Sequence, residues 1–243
     1  MTHMPPIVVI AGGLATRMKP LTDKIPKSML EVAGEPFIAH QLRLFQREGL
    51  KRVVLCVGFL GEMIRDFVGR GTRFGLEVTY SFDGPRQLGT GGAVRKALPL
   101  LGEEFLVTYG DSYLDMPYEP VVQAFRASGA AALMTVFHNS GLWDTSNVEF
   151  VDGKIVDYSK QPTPKMAHID YGLSMLRATI FDDTSDSEPF DLAALYRKMV
   201  QEKRMAGFEV TTRFYEIGSP AGLAALDARL RNVRTFDDRS RAH

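Results

Sequence analysis

A glycine pair flanked by basic residues lies near the start of the chain, and its residue types suit phosphate binding. Residues 7–10 are β-prone and predict a buried strand that leads directly to Gly12 and Gly13. Glycines let the backbone turn tightly and approach a ligand without a Cβ in the way. A hydroxyl and two fixed positive charges follow, on Thr16, Arg17 and Lys27. These groups hydrogen-bond strongly to phosphate oxygens. Residues 11–17, called the first loop below, are therefore a candidate phosphate loop, with Lys27 as a further phosphate ligand.

Two other phosphate-binding motifs do not fit this loop. A Walker loop ends in Gly-Lys-Ser or Gly-Lys-Thr, whereas this loop ends in Ala15, Thr16 and Arg17. The dinucleotide fingerprint Gly-x-Gly-x-x-Gly does not match the spacing of Gly12 and Gly13. The sequence therefore indicates a phosphate site outside these two classes.

Two later segments carry residue types suited to a nucleotide and a metal ion. Residues 85–93 contain three glycines within four positions, followed by a helical pattern that exposes backbone amides. Asp111 follows Gly110 and the apolar strand predicted over 105–109. Ligands of parallel sheets bind at the carboxyl ends of the strands, so Asp111 is expected near the first loop. Taken alone, each segment is also compatible with an ordinary turn.

Composition and charge limit the possible partners. The chain has 29 basic and 29 acidic residues, so no overall field attracts nucleic acid or an anionic membrane. No apolar stretch approaches the roughly 20 residues of a membrane span, and the N-terminus lacks a signal-peptide pattern. The single cysteine, Cys56, cannot form an internal disulfide. We therefore expect a cytoplasmic protein with neither nucleic acid nor membrane as a partner.

Strand and helix patterns alternate along the first half of the chain. This alternation predicts a Rossmann-like α/β fold, with a mostly parallel central sheet covered by helices on both faces. The second half contains a β-hairpin signal, in which strands over 147–151 and 154–158 flank Asp152 and Gly153. Residues 1–234 are predicted to form a single domain, followed by a polar tail over 235–243.

The start of the chain resembles the signature of the sugar-phosphate nucleotidylyltransferases. The matching segments are Ala-Gly-Gly-Leu-Ala-Thr-Arg-Met-Lys-Pro-Leu-Thr at 11–22, Pro-Lys-Ser-Met at 26–29 and Val-Ala-Gly-Glu-Pro at 32–36. One departure is Ala15, which stands where the family usually has a third glycine. Leu-Gly-Thr-Gly-Gly-Ala at 88–93 resembles the second ligand segment of the same family.

The resemblance implies roles for the residues of both loops. The first loop would bind the triphosphate, while Gln87 and the glycine segment would face the base and the ribose. The implied nucleotide-binding residues are Ala11, Gly12, Gly13, Leu14, Ala15, Thr16, Gln87, Gly89, Thr90, Gly91 and Gly92. The implied catalytic residues are Arg17, Lys27 and Asp111.

The resemblance also implies a metal site and an acceptor site. Asp111 matches the family aspartate that binds a divalent metal, usually Mg²⁺. Glu216 aligns with the second metal ligand, an aspartate in the family, and is one methylene longer. It implies that the small hairpin region helps to bind the acceptor, and the implied acceptor-binding residues are Asn147, Lys160, Asp170 and Gly172. Trp143 is a further candidate for the same pocket.

The resemblance implies a Mg²⁺-dependent enzyme that transfers a nucleoside monophosphate from an NTP to a sugar 1-phosphate. The chain is most similar to the short enzymes that act on heptose 1-phosphate or N-acetylmuramate 1-phosphate, and a homodimer is compatible with it. GTP, UTP, CTP and dTTP all remain open as donors. Two alternatives also remain open: a cytidylyltransferase that acts on a non-sugar phosphate such as phosphocholine, and a non-catalytic regulatory member of the family.

Overall fold

The computed structural model of the protein describes residues 3–13, 18–184 and 188–241, so four predicted site residues, Leu14, Ala15, Thr16 and Arg17, lie outside the described residues. The strands are β1 (Ile7–Ile10), β2 (Glu31–Val32), β3 (Glu35–Pro36), β4 (Arg52–Val57), β5 (Glu77–Phe82), β6 (Glu104–Tyr109), β7 (Ser112–Tyr113), β8 (Ala132–His138), β9 (Val148–Val151), β10 (Lys154–Tyr158), β11 (His168–Arg177), β12 (Met205–Val210) and β13 (Tyr215–Glu216). The helices are α1 (Phe37–Arg47), α2 (Gly61–Val68), α3 (Gly89–Ala97), α4 (Glu119–Ser128), α5 (Leu192–Gln201) and α6 (Pro220–Arg241).

Nine strands form one mixed sheet in the order β5-β4-β1-β6-β11-β8-β12-β10-β9. Strands β5, β4, β1 and β6 are parallel, as are β8 and β12, whereas β11 is antiparallel to both of its neighbours. The expectation of a mostly parallel sheet therefore holds only for the first half and is corrected to a mixed sheet. Strand β11 follows a hairpin rather than a crossover helix, so the chain returns through the sheet in the opposite direction.

Helices cover both faces of this sheet, as the sequence predicts. Alternate residues of β1 point to opposite faces, so Ile7 and Val9 pack in one core cluster and Val8 packs in another. Helices α1, α2 and α4 bury their apolar stripes in the first cluster. Helices α3 and α5 pack against the second.

The C-terminal helix packs on a smaller third cluster. Leu226 and Leu230 of α6 contact a group that includes Phe37 and Ile217. The helix begins at Pro220, and the Gly222 amide donates a 3.0 Å hydrogen bond to the hydroxyl of Ser219, which caps the first turn. It continues through residues 235–241 of the predicted polar tail. None of the helices in the described part of the chain has the length and apolar character needed to cross a bilayer.

A register shift in β11, the central strand of the sheet, interrupts its pairing with β8. Asp170 pairs with Val136, but Ser174 pairs with Met134, so β11 carries two extra residues between these pairs. The shift includes Gly172, whose φ of +97° favours glycine. Two threonine hydroxyls from the flanking strands satisfy the displaced carbonyls: Thr108 donates to Gly172 O at 2.9 Å, and Thr135 donates to Leu173 O at 2.5 Å.

We expect Thr135→Val to lower the free energy of unfolding by about 1–3 kcal/mol, because it leaves the buried Leu173 carbonyl without its donor. Valine has nearly the same shape as threonine and Thr135 is fully buried, so a cavity does not contribute to the change. Urea denaturation measures the effect. Thr135→Ser, which keeps the hydroxyl, is the control and should retain most of the stability. Equal stability of Thr135→Val and the wild type would contradict this account of the bulge.

Candidate active site

The ends of β1 and β6 bring the first loop and Asp111 together. Ile10 pairs in parallel with Tyr109, and the Gly110 amide donates a 2.9 Å hydrogen bond to Ile10 O. A Cβ on Gly110 would lie 2.7 Å from the Cβ of Ala11, which is closer than atoms can pack. Glycine at 110 therefore permits the close approach that places Asp111 beside the predicted phosphate loop.

Lys27 and Asp111, which are 84 positions apart in the sequence, form an ion pair. Lys27 begins a short 3-10 turn, Lys27–Met29, and its Nζ donates to Asp111 Oδ2 at 2.7 Å. The Lys27 side chain is only 16% exposed, so solvent screens this pair less than it screens a surface pair. Two residues that the resemblance assigns to catalysis are thus in direct contact.

Glu216 lies on the strand next to Asp111. Strand β13 pairs with β7, with Glu216 opposite Ser112, and the Ile217 amide donates to Asp111 O at 2.9 Å. The side chains converge on Gly218. A Cβ at this glycine would lie 2.5 Å from Glu216 Oε2, 3.0 Å from Lys27 Nζ and 3.6 Å from Asp111 Oδ2. Two carboxylates and one ammonium group therefore surround a single glycine.

The donor set at this glycine fits a hard divalent cation. Such ions bind one or two carboxylates together with substrate phosphates. Glu216 already accepts hydrogen bonds from the Ser219 hydroxyl, at 2.6 Å, and from the Gly218 amide. Each carboxylate oxygen has a second lone pair, so both acids retain capacity for a metal. In the described ranges, no third His, Cys, Asp or Glu completes a metal-binding group with them.

A buried glutamine, which the sequence analysis missed, holds the turn that carries Asp111. Gln41 of α1 donates from Nε2 to Tyr109 O and to Ser112 O, both at 2.8 Å, and its side chain has no exposure. These two carbonyls lie on either side of Gly110 and Asp111, so one amide group fixes both ends of the turn. The available signal was a polar residue at helical spacing between two apolar residues, Ile38 and Phe45.

The second glycine segment lies beside the first loop, although its glycines mainly accommodate another residue. Gln87 donates from Nε2 to Gly12 O at 3.2 Å, which joins the two segments. The amides of Gly91 and Gly92 donate to Phe190 O at 2.9 and 3.3 Å, and a Cβ on Gly91 would lie 2.2 Å from the Phe190 ring. Contacts of these amides with a base or ribose stay a prediction. By contrast, no atom of the described residues would lie within 4 Å of a Cβ on Gly13.

Asp83 is a second residue that the sequence analysis missed. Its carboxylate lies against the first loop, where a Cβ on Gly12 would be 3.1 Å from Asp83 Oδ2 and a Cβ on Gly58 would be 3.0 Å away. Burial raises the pKa of Asp83, and a hydrogen bond from the Leu88 backbone partly opposes this shift. The carboxylate therefore lies between the first loop and the second glycine segment.

Three of the four predicted acceptor residues lie together, close to the turn that carries Asp111. Asn147 Oδ1 accepts the Asp170 amide at 2.9 Å, and Asp170 Oδ1 accepts the Gly172 amide at 3.0 Å. A Cβ on Gly172 would lie 3.7 Å from the hydroxyl of Ser112, the neighbour of Asp111. The fourth residue, Lys160, instead donates to Asp191. Burial raises the pKa of Asp170 to about 6.

Trp143 packs on the guanidinium group of Arg213. The guanidinium of Arg213 lies 3.9 Å from the centre of the Trp143 ring and 4.5 Å from that of Tyr215. Trp143 is 43% exposed. The stack therefore forms an outer wall next to the strand that carries Glu216.

The family model for nucleotidyl transferases matches residues 7–142, which is more than half of the chain. The chain belongs to the nucleotidyl transferase family. The matched range contains the first loop, the second glycine segment and Asp111. The resemblance stated from the sequence is thereby confirmed.

Relatives of known activity match this nucleotidyl transferase over most of their length. The N-acetylmuramate alpha-1-phosphate uridylyltransferase of Neisseria meningitidis serogroup B is 29% identical over 228 residues, which cover 91% of this chain and 96% of the relative. The D-glycero-alpha-D-manno-heptose 1-phosphate guanylyltransferase of Campylobacter jejuni is 24% identical over 213 residues, with coverage of 88% and 94%.

Solved structures share the fold. HddC from Yersinia pseudotuberculosis, complexed with GMP-PN, superposes with a TM-score of 0.77 at 21% identity, covering 93% of this chain and 100% of that one. The inositol-1-phosphate CTP transferase from T. maritima has a TM-score of 0.74 at 22% identity, with coverage of 91% and 92%. These likenesses support the α/β fold, with its mixed sheet and covering helices.

We expect Gln41→Met to loosen the Asp111 turn while the fold is retained, because methionine fills the same space and donates no hydrogen bond. Hydrogen–deuterium exchange of a peptide spanning residues 109–113 should be faster in this variant than in the wild type. Leu42→Met is the matched control, since it changes a core residue on the same helix and leaves both hydrogen bonds of Gln41 intact. Equal protection of this peptide in Gln41→Met and the wild type would show that Gln41 does not hold the turn.

Asp170→Asn should stabilise the protein in a pH-dependent way. The pKa of Asp170 is about 6 in the folded state and 3.8 in its ordinary range, so between these values the native state binds the extra proton. Stability of the wild type therefore falls as the pH rises through this window, whereas asparagine carries no such penalty. We expect the melting temperature of Asp170→Asn to exceed that of the wild type by about 2–5 °C above pH 7.

The difference in melting temperature between Asp170→Asn and the wild type should shrink towards zero at pH 4. Melting curves from pH 4 to pH 8 measure it, with the exposed hairpin variant Asp152→Asn as the control. A difference that is constant across this range would rule out ionisation of Asp170 as its cause.

Proposed function

We propose that this nucleotidyl transferase moves a nucleoside monophosphate from an NTP to a sugar 1-phosphate and releases pyrophosphate. The observation that carries the proposal is the convergence of Lys27, Asp111 and Glu216 around Gly218, beside the first loop. Relatives that match this chain over most of its length are named as sugar 1-phosphate uridylyl- and guanylyltransferases. The product of the reaction would be an NDP-sugar.

The chemistry requires placement and charge neutralisation rather than a covalent intermediate. A phosphate oxygen of the acceptor attacks the α-phosphorus of the NTP, and a new P–O bond forms. The bond between the α-phosphorus and the bridging oxygen breaks, and pyrophosphate leaves with the electron pair. The nucleophile is already an anion, so no protein base has to remove a proton. Catalysis of this kind depends on holding the reactants in line and stabilising the negative charge that develops on the phosphates.

Lys27 is the described cation best placed for that charge. Its ammonium group has three donors and uses one on Asp111, so two remain for phosphate oxygens. We assign Lys27 to the α-phosphate. Arg17, which lies outside the described residues, is assigned to the departing pyrophosphate because of its position in the first loop.

Asp111 and Glu216 are proposed to hold Mg²⁺. The ion would supply positive charge to the phosphates of the donor when bound. Asp111 is fixed by the turn that Gln41 holds, and Glu216 is fixed by Ser219 and by the Gly218 amide. Both carboxylates are therefore positioned before substrate arrives, which reduces the ordering that binding requires.

The acceptor is proposed to bind on the side of Asn147, Asp170 and Gly172. The Asp170 carboxylate accepts one backbone amide and has further lone pairs for sugar hydroxyls. Lys160 is assigned to the acceptor phosphate. Among the described groups, Asp170 forms no ion pair, which suits recognition of neutral hydroxyl donors.

The two alternative functions are not favoured. Against a phosphocholine cytidylyltransferase, the two relatives compared by sequence above are named as transferases of sugar 1-phosphates. A non-catalytic regulatory member is expected to lose charges at the site, and this chain retains Lys27, Asp111 and Glu216. We also propose a single catalytic domain over 1–234 that works in the cytoplasm; the suggested homodimer stays a prediction.

A pyrophosphate-release screen tests the proposal. GTP, UTP, CTP and dTTP are each combined with N-acetylmuramate 1-phosphate, D-glycero-α-D-manno-heptose 1-phosphate, glucose 1-phosphate or phosphocholine, in the presence of Mg²⁺. We expect release that depends on a sugar 1-phosphate and on one preferred base. Release with phosphocholine alone would favour the cytidylyltransferase alternative, and no release in any combination would argue against catalysis.

We expect Asp111→Asn to reduce turnover by about two orders of magnitude or more, because it removes charge from a site built on two carboxylates. Glu216→Gln should also shift Mg²⁺ activation to higher concentrations. Initial rates over a Mg²⁺ titration measure both effects. Asp115→Asn is the control, because Asp115 lies four residues from Asp111 but binds Arg47 and Arg229 instead. An unchanged activation curve in Glu216→Gln would remove Glu216 from the metal site.

A further inference from the structure

One carboxylate outside the predicted site contacts two residues that the resemblance assigns to different substrates. Asp191 Oδ1 accepts the hydroxyl of Thr90 at 2.7 Å, and its Oδ2 accepts the ammonium of Lys160. Thr90 belongs to the second glycine segment, 101 positions away, and Lys160 lies 31 positions before Asp191. Neither pairing follows from sequence spacing.

The start of α5 holds Asp191 itself in place. Asp191 is the N-cap of the helix, and its Oδ1 accepts the Ala193 amide at 3.2 Å. The Leu192 amide donates to the hydroxyl of Thr90 at 2.8 Å, so the threonine both donates to the carboxylate and accepts from the helix. Burial alone would raise the pKa of Asp191, but hydrogen bonds from Lys160, Thr90 and Ala193 lower it, so the carboxylate is charged at neutral pH.

These contacts satisfy the hydrogen-bonding groups of the Thr90 hydroxyl within the protein, without a nucleotide. Both its donor and one of its acceptor positions are used on the α5 cap. The hydroxyl therefore supports Asp191, and through it Lys160, on the acceptor side.

Lys160 needs such support because it is long and exposed. Its side chain is 64% exposed and follows β10 in a loop. A free lysine of this kind loses side-chain entropy when it binds a phosphate. A fixed carboxylate holds the ammonium in one region beforehand and leaves two N–H donors for the ligand.

We propose that Asp191 is a positioning residue that holds Lys160 for the acceptor phosphate, with Thr90 and the N-terminus of α5 fixing Asp191 in turn. The inference rests on the proposed function, in which Lys160 binds the acceptor. Asp191 does not touch the reacting atoms; it acts through Lys160. Charge is the property that matters, because the helix cap alone would be served equally well by asparagine.

Asp191→Asn separates the two roles. Asparagine keeps the cap and the bond from Thr90 but loses the charge that holds Lys160. We expect the KM for the preferred sugar 1-phosphate of the screen to rise about fivefold to tenfold, with the KM for NTP unchanged. The melting temperature should stay at the wild-type value, whereas Asp191→Ala, which also loses the cap, should melt about 2–4 °C lower.

Three comparisons make the test specific. Asp183→Asn is the matched control, since it removes an acid that pairs with Lys198 of the same helix, at 3.1 Å, away from the site. In a Lys160→Met background, Asp191→Asn should cause no further rise in the acceptor KM. Thr90→Val should raise the acceptor KM, and Thr90→Ser should restore it.

A second readout does not depend on catalysis. Acetylation by limiting acetic anhydride, followed by mass spectrometry, should modify Lys160 faster in Asp191→Asn than in the wild type, with the exposed Lys154 as internal reference. An acceptor KM that is unchanged or lower in Asp191→Asn would overturn the proposal. If the wild type itself shows no acceptor-dependent pyrophosphate release, the proposed function fails. Equal acetylation rates of Lys160 in Asp191→Asn and in the wild type would reject the pairing of Lys160 with Asp191, whatever the catalytic result.

Discussion

The contact between the ends of β1 and β6 is the constraint on which the site depends. Gly110 lies against Ala11 so closely that no other residue fits at 110. This contact fixes the distance between the predicted phosphate loop and Asp111, and Asp111 in turn receives Lys27. The pairing of β13 with β7 then brings Glu216 to the same point. Each later element of the site is thus added to a junction between two buried parallel strands.

The arrangement of Asp170 and Gly172, on the proposed acceptor side, depends on a different feature, the register shift in β11. Without the shift, every residue of β11 from Asp170 to Ser174 would pair in turn with a residue of β8. The two extra residues allow Gly172 to adopt a positive φ and present its amide to Asp170. The carbonyls that the shift displaces are satisfied by Thr108 and Thr135, one on each flanking strand. The sheet therefore tolerates an irregular strand where the acceptor is proposed to bind.

Much of the site could be predicted because its residues lie in short segments with distinctive spacing. Lys27, Asp111 and Glu216 were placed from their motifs, and the structure brings them together at Gly218. The direction of β11 could not be predicted, since a buried strand has the same apolar pattern whether it is parallel or antiparallel. The reason for Gly91 was also hidden, because it depends on the Phe190 ring, 99 positions away in the chain.

The supporting roles of Gln41 and Asp191 could not be predicted, because both depend on contacts with residues that are distant in the sequence. Gln41 stands out only as a polar residue on an apolar helical face, and its partners are backbone carbonyls that no side-chain pattern identifies. Asp191 caps α5, and a capping residue in the sequence gives no sign of contacts with Thr90 and Lys160. Supporting residues act through tertiary contacts, so their chemistry becomes visible only in the folded chain.

Two acids on the acceptor side, Asp170 and Asp191, differ in their electrostatics, and the difference suggests what each one contacts. The side chain of Asp191 is 48% exposed, and although its partial burial would raise its pKa, hydrogen bonds from Lys160 and Thr90 lower it, so its charge is already matched within the protein. The pKa of Asp170 is raised by burial, and only the Gly172 amide opposes the shift. An acid of the second kind costs stability when it ionises in the free protein. That cost falls if a ligand brings hydrogen-bond donors, so Asp170 is suited to contact a substrate hydroxyl, whereas Asp191 is suited to hold another residue in place.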